Sequence, residues 1–529
     1  MSRLILGCLA LTVSANFSLA QGPVGVTSGS TGSLPSLGET SELAAPAERR
    51  IGDRIAASIY RDPDYIDDPV LGDYVQGIWL PLVAAARSRG ELHAELDERF
   101  AWQISLIRDR SINAFALPGG YFGLHLGLIA AVGSADEMAA VLGHELSHVT
   151  QRHISRMLTQ QSRQTPWMIA AMVLGVLAAG KSGDAAQAAM VGGTAVAAQN
   201  QLNFSRDMER EADRVGFGVM MDAGFESRGM SAMFDKLQQA ARLNDNGSFP
   251  YLRSHPLTTE RIAEAQARIQ LASVDAAKPS REKDIEAGKA RLLHAMMASR
   301  ARILAAPGVD ALRTMIAEAQ RRPASMALLQ SPATPENVRD AGALYGGAFA
   351  AAQLRDFVTA KNLLGRLKPL AAADVPRAAE AVDLLALEID LLAGVVPPMA
   401  ASADIAKATS RAEVLMQAQG LMAAGRAQAV SDRLQTWVAA HPKDAMAWQL
   451  LASAYGRQNQ NVRAVRADAE SRAAQLDYPA ALDRFKAAQG LMRSNPGSAD
   501  YVEGSIIDTR ARQMESLIKE QALQDKLDR

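Results

Sequence analysis

The run Gly143-His144-Glu145-Leu146-Ser147-His148 decides how the rest of the chain is read. It spells H-E-x-x-H inside an apolar stretch, Asp136 to Arg152, in which Met138, Ala139, Leu142 and Leu146 fall at helical spacing. Residues four apart on a helix share a face, so His144 and His148 offer two imidazoles to one point. Neutral imidazole nitrogens suit a tetrahedral zinc ion that keeps one position open for water. Glu145, beside the first histidine, is placed to take a proton from that water. Ser134 followed by Glu137 reads as a capping box that starts the helix. The bland alternative is a surface helix, but only 8 histidines occur in 529 residues, and the pattern seldom arises from so few by chance.

The N-terminus reads as an export signal over residues 1–20. Arg3 supplies the charge, Leu4 to Ser14 the apolar core, and Ser18-Leu19-Ala20 a small-x-small cleavage site before Gln21. That core is far shorter than the roughly 20 residues a membrane span needs. The single cysteine, Cys8, lies inside it, so the processed chain would have neither disulfide nor thiolate chemistry. A cysteine-free exported chain suits the bacterial periplasm. The formal net charge of −1 gives no electrostatic footprint for nucleic acid.

Residues 21–41, rich in Gly, Ser, Thr and Pro, read as a disordered lead-in. A helical pattern follows from Glu42 to Arg87, broken by a polar stretch from Arg61 to Pro69. Phe100 to Asp109 alternates as a strand does. Asn113-Ala114-Phe115-Ala116-Leu117 and Tyr121 to Leu126 flank a Pro118-Gly119-Gly120 turn and read as a strand pair. Beyond the H-E-x-x-H helix, residues 166–199 hold two apolar, Gly-rich runs too short to span a bilayer with ease. They read as a helical hairpin over the site, as a peripheral membrane contact, or as two core helices. Phe204 to Gly218 then carries F-S-R-D-M-E-R-E-A-D-R-V-G-F-G. Glu209 and Asp213 lie four apart on one helix face and Glu211 points elsewhere. One carboxylate of the pair can complete a zinc site while the other accepts from a ligating imidazole. A solvated charged face gives the same pattern.

H-E-L-S-H followed by E-R-E-A-D resembles the gluzincin metalloproteases related to the CAAX prenyl protease and the HtpX heat-shock protease. N-A-F-A-L-P-G-G and S-R-D-M-E-R-E-A-D-R-V-G resemble the exported bacterial branch of that family, in which TPR repeats follow the catalytic domain. The resemblance is close from Glu42 to Ala272. It implies one zinc ion per chain on His144, His148 and Glu209, with Glu145 as general base and Asp213 as supporting carboxylate. It implies that Asn113, Ala114, Phe115 and Ala116 form an edge strand along which peptide substrate lies extended. Tyr251 to Ala263 matches the branch's L-R-x-H-P-x-x-x-E-R-I segment, which singles out His255. That histidine either steadies the oxyanion of the tetrahedral intermediate or occupies the open zinc position and keeps the enzyme latent. His153, five past His148, looks off the zinc face, and His125 looks like a packing residue on its strand.

Ser273 to Lys289 is polar and reads as a linker. From residue 290 to 500 the chain is Ala/Leu/Arg-rich, with a period of about 34 residues expected of TPR units. Trp448, Leu451, Ala452 and Tyr455 have first-helix spacing; Tyr478, Ala481, Phe485 and Ala488 read as the second helix of a following unit. Residues 501–529 read as a terminal helix. The fold class expected is mainly α: a metalloprotease domain with a small β-sheet over 42–272, then an all-α TPR-like solenoid. The function expected is a periplasmic zinc endopeptidase in quality control. Its substrates would be unfolded or misassembled proteins, and its partner, by resemblance, the outer-membrane β-barrel assembly machinery. The alternative is a latent-protease chaperone or scaffold in which the solenoid does the main work.

Overall fold

Pro69 at the first turn and Asp68 as cap, its carboxylate accepting from Leu71 N at 2.8 Å, start the helix that underlies the sheet. The computed structural model describes residues 43–160, 205–242, 250–275, 281–322, 334–371, 376–396, 405–494 and 500–527. The signal segment, the lead-in and the apolar tract 166–199 lie outside the described residues. Helix α1 (Ala45–Arg61) leads to β1 (Tyr65–Ile66), α2 (Pro69–Ser88), α3 (Ala94–Arg99), β2 (Gln103–Ile107), β3 (Ala114–Leu117) and β4 (Tyr121–His125). The four strands order as β1-β2-β4-β3. β2 and β4 are parallel, and β3 pairs antiparallel with β4, Ala114 opposite Leu124 and Leu117 opposite Tyr121. β3 is therefore one edge of the sheet. The Pro-Gly-Gly corner needs its glycines. Gly119 and Gly120 have φ of 74° and 77°, and an added Cβ would meet Arg49 Cα and Phe100 Cβ respectively at 2.8 Å. Trp79 of α2 packs edge-on against Phe122 behind the sheet, ring centroids 4.6 Å apart.

Among the described residues the N-terminal half continues with α4 (Leu126–Ala131), α5 (Ala135–Thr150), α6 (His153–Gln160), α7 (Arg206–Asp222), α8 (Arg228–Arg242) and the short α9 (Tyr251–Ser254). α10 (Thr259–Asp275) and α11 (Arg281–Leu304) follow. Residues 281–289, expected as part of a linker, are instead the opening turns of α11. The rest is helical: α12 (Val309–Arg321), α13 (Pro335–Gln353), α14 (Phe357–Leu367), α15 (Pro376–Leu392), α16 (Arg411–Ala423), α17 (Ala427–Ala440), α18 (Ala445–Arg457), α19 (Asn461–Ala474), α20 (Tyr478–Ser494) and α21 (Tyr501–Leu527). Trp448, Leu451 and Tyr455 are buried on α18 as expected. Ala481, Phe485 and Ala488 are buried on α20, which packs against α19, the helix that follows α18.

One hydrophobic core runs from Ala45 to Met416 and joins sheet, α5 and the first helices of the C-terminal half. Smaller cores then form at the joints of successive helices, as in stacked repeats. Two guanidinium groups, Arg300 buried and Arg411 half-buried, bolt the halves together. Arg300 of α11, 1% exposed, holds both oxygens of Asp68 at 2.6 and 2.8 Å and Glu388 at 2.8 Å. Arg411 of α16 grips Asp67 twice at 2.8 Å and Asp444 at 2.8 and 2.9 Å. The helical half also touches the start of α5. His294 Nε2 lies 2.9 Å from the carbonyl of Val132, just before the Ser134 cap, and Tyr74 donates to His294 Nδ1 at 2.5 Å. Among the described residues no helix is long and apolar enough to cross a membrane.

Candidate metal centre

Ser134 caps α5, its Oγ accepting from Glu137 N at 3.2 Å. Only half of the expected capping box forms. The Glu137 carboxylate accepts from Gly133 N at 2.7 Å and pairs with Lys236, also at 2.7 Å, instead of returning to Ser134 N. From Glu137 to Thr150 every residue of α5 is buried, so its histidines and Glu145 must find partners inside. α7 supplies them. The two helices cross at Gly143 and Gly216, where a Cβ on Gly216 would lie 2.9 Å from the backbone of Gly143 and His144. That close approach brings the acidic face of α7 onto His144.

Four donor atoms converge. His144, His148, Glu209 and His255 each offer one ligand atom, all within 4.8 Å of one another and all buried. His144 Nε2 lies 2.9 Å from His148 Nε2 and 3.3 Å from His255 Nδ1. Glu209 Oε1 lies 3.0 Å from His255 Nδ1 and 3.5 Å from His148 Nε2. A zinc ion with bonds of about 2.0–2.1 Å sets tetrahedral ligand atoms roughly 3.3–3.4 Å apart. Three imidazole nitrogens and one carboxylate at this spacing fit such an ion. Glu145, 1% exposed, has neither oxygen hydrogen-bonded and lies 3.4 Å from His255 Nε2.

Behind the donors, Asp213 Oδ1 accepts from His144 Nδ1 at 2.9 Å. Arg261 of α10, 4% exposed, donates to both Asp213 oxygens at 2.6 and 2.8 Å and to the Pro256 carbonyl at 2.8 Å. Its Nη1 also lies 2.7 Å from Glu209 Oε2. Burial would lower the His144 pKa, but the hydrogen bonds with Asp213 and Glu209 push it up to about 10. Burial and the neighbouring His144 charge push His148 the other way, well below the usual histidine range. Burial opposes ionisation of Glu209 and Asp213, yet both carboxyls are held below their ordinary values. For Glu209 the cause is His255 and His144; for Asp213 it is Arg261 and His144. Glu145 is raised, because burial outweighs His255 and His144.

The residues expected at the site are therefore brought together: His144, Glu145, His148, Glu209, Asp213 and His255. Of the segment Asn113 to Ala116, Ala114 to Ala116 lie in the edge strand β3, and Tyr251 N donates to the carbonyl of Ile112, just before it, at 3.4 Å. His125 packs as expected, its Nδ1 2.9 Å from Ser111 Oγ and its ring edge-on to Phe115. His153 stays outside the four donors, as expected, but touches one of them. Its Nδ1 lies 2.9 Å from His148 Nδ1, because α5 ends at Thr150 and the chain turns at Arg152, φ 59°, folding His153 back. Two further residues were not singled out. Arg261 stands in the quoted E-R-I segment, and Tyr251, four before His255, stacks on it with centroids 4.6 Å apart.

Residues 84–269 match the model of peptidase family M48. A putative beta-barrel assembly-enhancing protease of Vibrio cholerae is 36% identical over 44% of this chain and 47% of that protein. The chain thus spans about half the length of that relative. The beta-barrel assembly-enhancing protease of Yersinia pestis is 28% identical over 83% of each chain. The mitochondrial metalloendopeptidase OMA1 of Arabidopsis thaliana is 28% identical over 37% of this chain and 36% of that one. The donor cluster falls inside the stretch that is similar to peptidase family M48.

Proposed function

We propose that the chain is a zinc-dependent endopeptidase of periplasmic protein quality control, held at rest by His255. The observation that carries this reading is the convergence of His144, His148, Glu209 and His255 on one buried point beside an unbonded Glu145. His144, His148 and Glu209 would hold the ion, and His255 Nδ1 takes the corner a catalytic site leaves for water. When bound, zinc supplies Lewis acidity toward the scissile carbonyl and lowers the pKa of water. Asp213 accepts the Nδ1 proton of His144, leaving the Nε2 lone pair for the metal, and Arg261 keeps Asp213 charged. Glu145, raised by its buried setting, takes the proton of the attacking water and passes it to the leaving amine. The β3 edge, Ala114 to Ala116 with Asn113 leading into it, would offer backbone groups to an extended peptide, a contact that tolerates many sequences.

The names of the relatives support outer-membrane β-barrel proteins, unfolded or misassembled, as the substrates. The C-terminal helical pairs, read as TPR units, would present the assembly machinery with a binding surface. The signal-like residues 1–20 support the periplasm.

The test compares zinc content and cleavage of an unfolded protein such as casein by the wild type, Glu145→Gln and His255→Ala. About one zinc per chain, weak wild-type cleavage, faster cleavage by His255→Ala and none by Glu145→Gln support a self-restrained protease. If all three hold zinc and none cleaves, the scaffold reading replaces it.

A further inference from the structure

His148 turns Nε2 toward the donor cluster, 2.9 Å from His144 Nε2. For that nitrogen to offer a lone pair, the ring proton must sit on Nδ1. Nδ1 of His148 faces Nδ1 of His153 at 2.9 Å. A bond between two ring nitrogens needs one donor and one acceptor, so His153 Nδ1 accepts and its own proton sits on Nε2. His153 Nε2 then donates to Glu211 Oε2 at 3.0 Å, and Arg156 donates to the same oxygen at 3.0 Å. With this placement of protons each of these bonds runs from donor to acceptor and the His148 Nε2 lone pair faces the donor cluster. His153 is fully buried and lies outside the roles assigned so far.

We propose that His153 is a positioning residue of the metal centre: it fixes the tautomer and ring orientation of His148 and hands the hydrogen bond on to Glu211 and Arg156. The two histidines of H-E-x-x-H are then served alike. Asp213 stands directly behind His144, and Glu211 stands behind His148 at one remove. Both acids come from the E-R-E-A-D run of α7, whose remaining carboxylate, Glu209, faces the metal point. His153 and Arg156 belong to α6, so this row also ties α6 to the site.

The proposal rests on His148 being a ligand, and the test separates the two. Zinc affinity of the full chain is measured by competition with a chromophoric chelator at fixed pH, beside the melting temperature of the metal-free protein. His153→Phe keeps the ring volume and removes the acceptor; it should bind zinc roughly 10–100-fold more weakly, the usual loss for an outer-shell partner. His153→Asn places a carbonyl oxygen near the old Nδ1 and should stay within a few-fold of wild type. A packing role predicts the reverse order, and that order, or equal losses in both variants, overturns the proposal. His148→Ala is the control. If it weakens zinc while His153→Phe does not, only the positioning role falls; if His148→Ala binds zinc as wild type does, the metal reading falls with it. Should His153→Phe melt early without metal, Glu211→Leu at the partly exposed end of the row repeats the test. A several-fold loss of zinc affinity is expected there, and no change refutes the relay.

Discussion

Replacing Gly216 by alanine tests whether the metal centre depends on how closely α5 and α7 cross. The new Cβ would lie 2.9 Å from the carbonyl group of Gly143 and from His144 N, all of them backbone atoms that cannot swing aside. Ordinary carbon contacts begin near 3.5 Å, so the helices must part by about 0.5 Å. Overpacking of this kind costs about 1–3 kcal/mol, and alanine returns roughly 0.5–1 kcal/mol of helix propensity. The net loss of stability is therefore modest, about 0–2.5 kcal/mol. The metal site is less forgiving. His144 and His148 ride on one helix and Glu209 on the other, and metal ligands tolerate only about 0.2 Å of error. Gly216→Ala should thus melt within a few degrees of wild type yet bind zinc at least tenfold more weakly, a loss on the scale of lost ligand support. Gly490→Ala on α20, with nothing within 4 Å of the added Cβ, is the matched control. It should gain about 0.5–1 kcal/mol and leave zinc affinity alone. Gly216→Ala protein with zinc affinity within twofold of wild type would refute the argument that the crossing distance sets the site.

Arg261→Met removes the cation between Asp213 and Glu209 and leaves buried carboxylates facing each other. Unfolding of the metal-free chain by urea should show a loss of about 3–5 kcal/mol, and a loss below 1 kcal/mol would mean the carboxylates are not held by this residue. His144, pushed up to about 10, carries a proton at neutral pH that a metal must displace. Zinc entry should then release about one proton at pH 7 and tighten about tenfold per pH unit across neutrality. Calorimetric heats that do not vary between buffers of different ionisation enthalpy would contradict this. Asp444 is held below its ordinary pKa by Arg411 and Trp437 despite burial. A depressed folded pKa contributes stability above the unfolded value, about 3.9, and loses it as pH falls through the lowered one. The melting-temperature gap between wild type and Asp444→Asn should be full near neutrality and close below about pH 4; a constant gap counts against the ion pair.

What the sequence discloses here is what helical periodicity can carry. H-E-x-x-H and Glu209/Asp213 are both four-residue spacings within one unbroken helix; the first puts both histidines on the metal point, and the second puts Glu209 there and Asp213 behind His144. Pro118-Gly119-Gly120 marks its corner because its backbone angles favour glycine. Periodicity does not reach the contact of His153 with His148, because α5 stops at Thr150 and a left-handed Arg152 resets the direction of the next side chain. α19, rich in Ala and Arg, carries little apolar pattern from which to count. What no local pattern could disclose is long-range charge pairing. Asp67-Asp68 read as part of a polar break, yet their partners Arg411 and Arg300 stand 344 and 232 residues away. Those pairs set the helical half against α2, from which Tyr74 reaches His294 and, through it, the Val132 carbonyl at the foot of the metal helix. An acidic pair that looks like solvated surface in the sequence is thus part of what fixes the start of α5. The metal helix is braced from both halves of the chain, so disturbance of the Arg300 or Arg411 clamp should reach the site through α5 rather than through any residue near the metal.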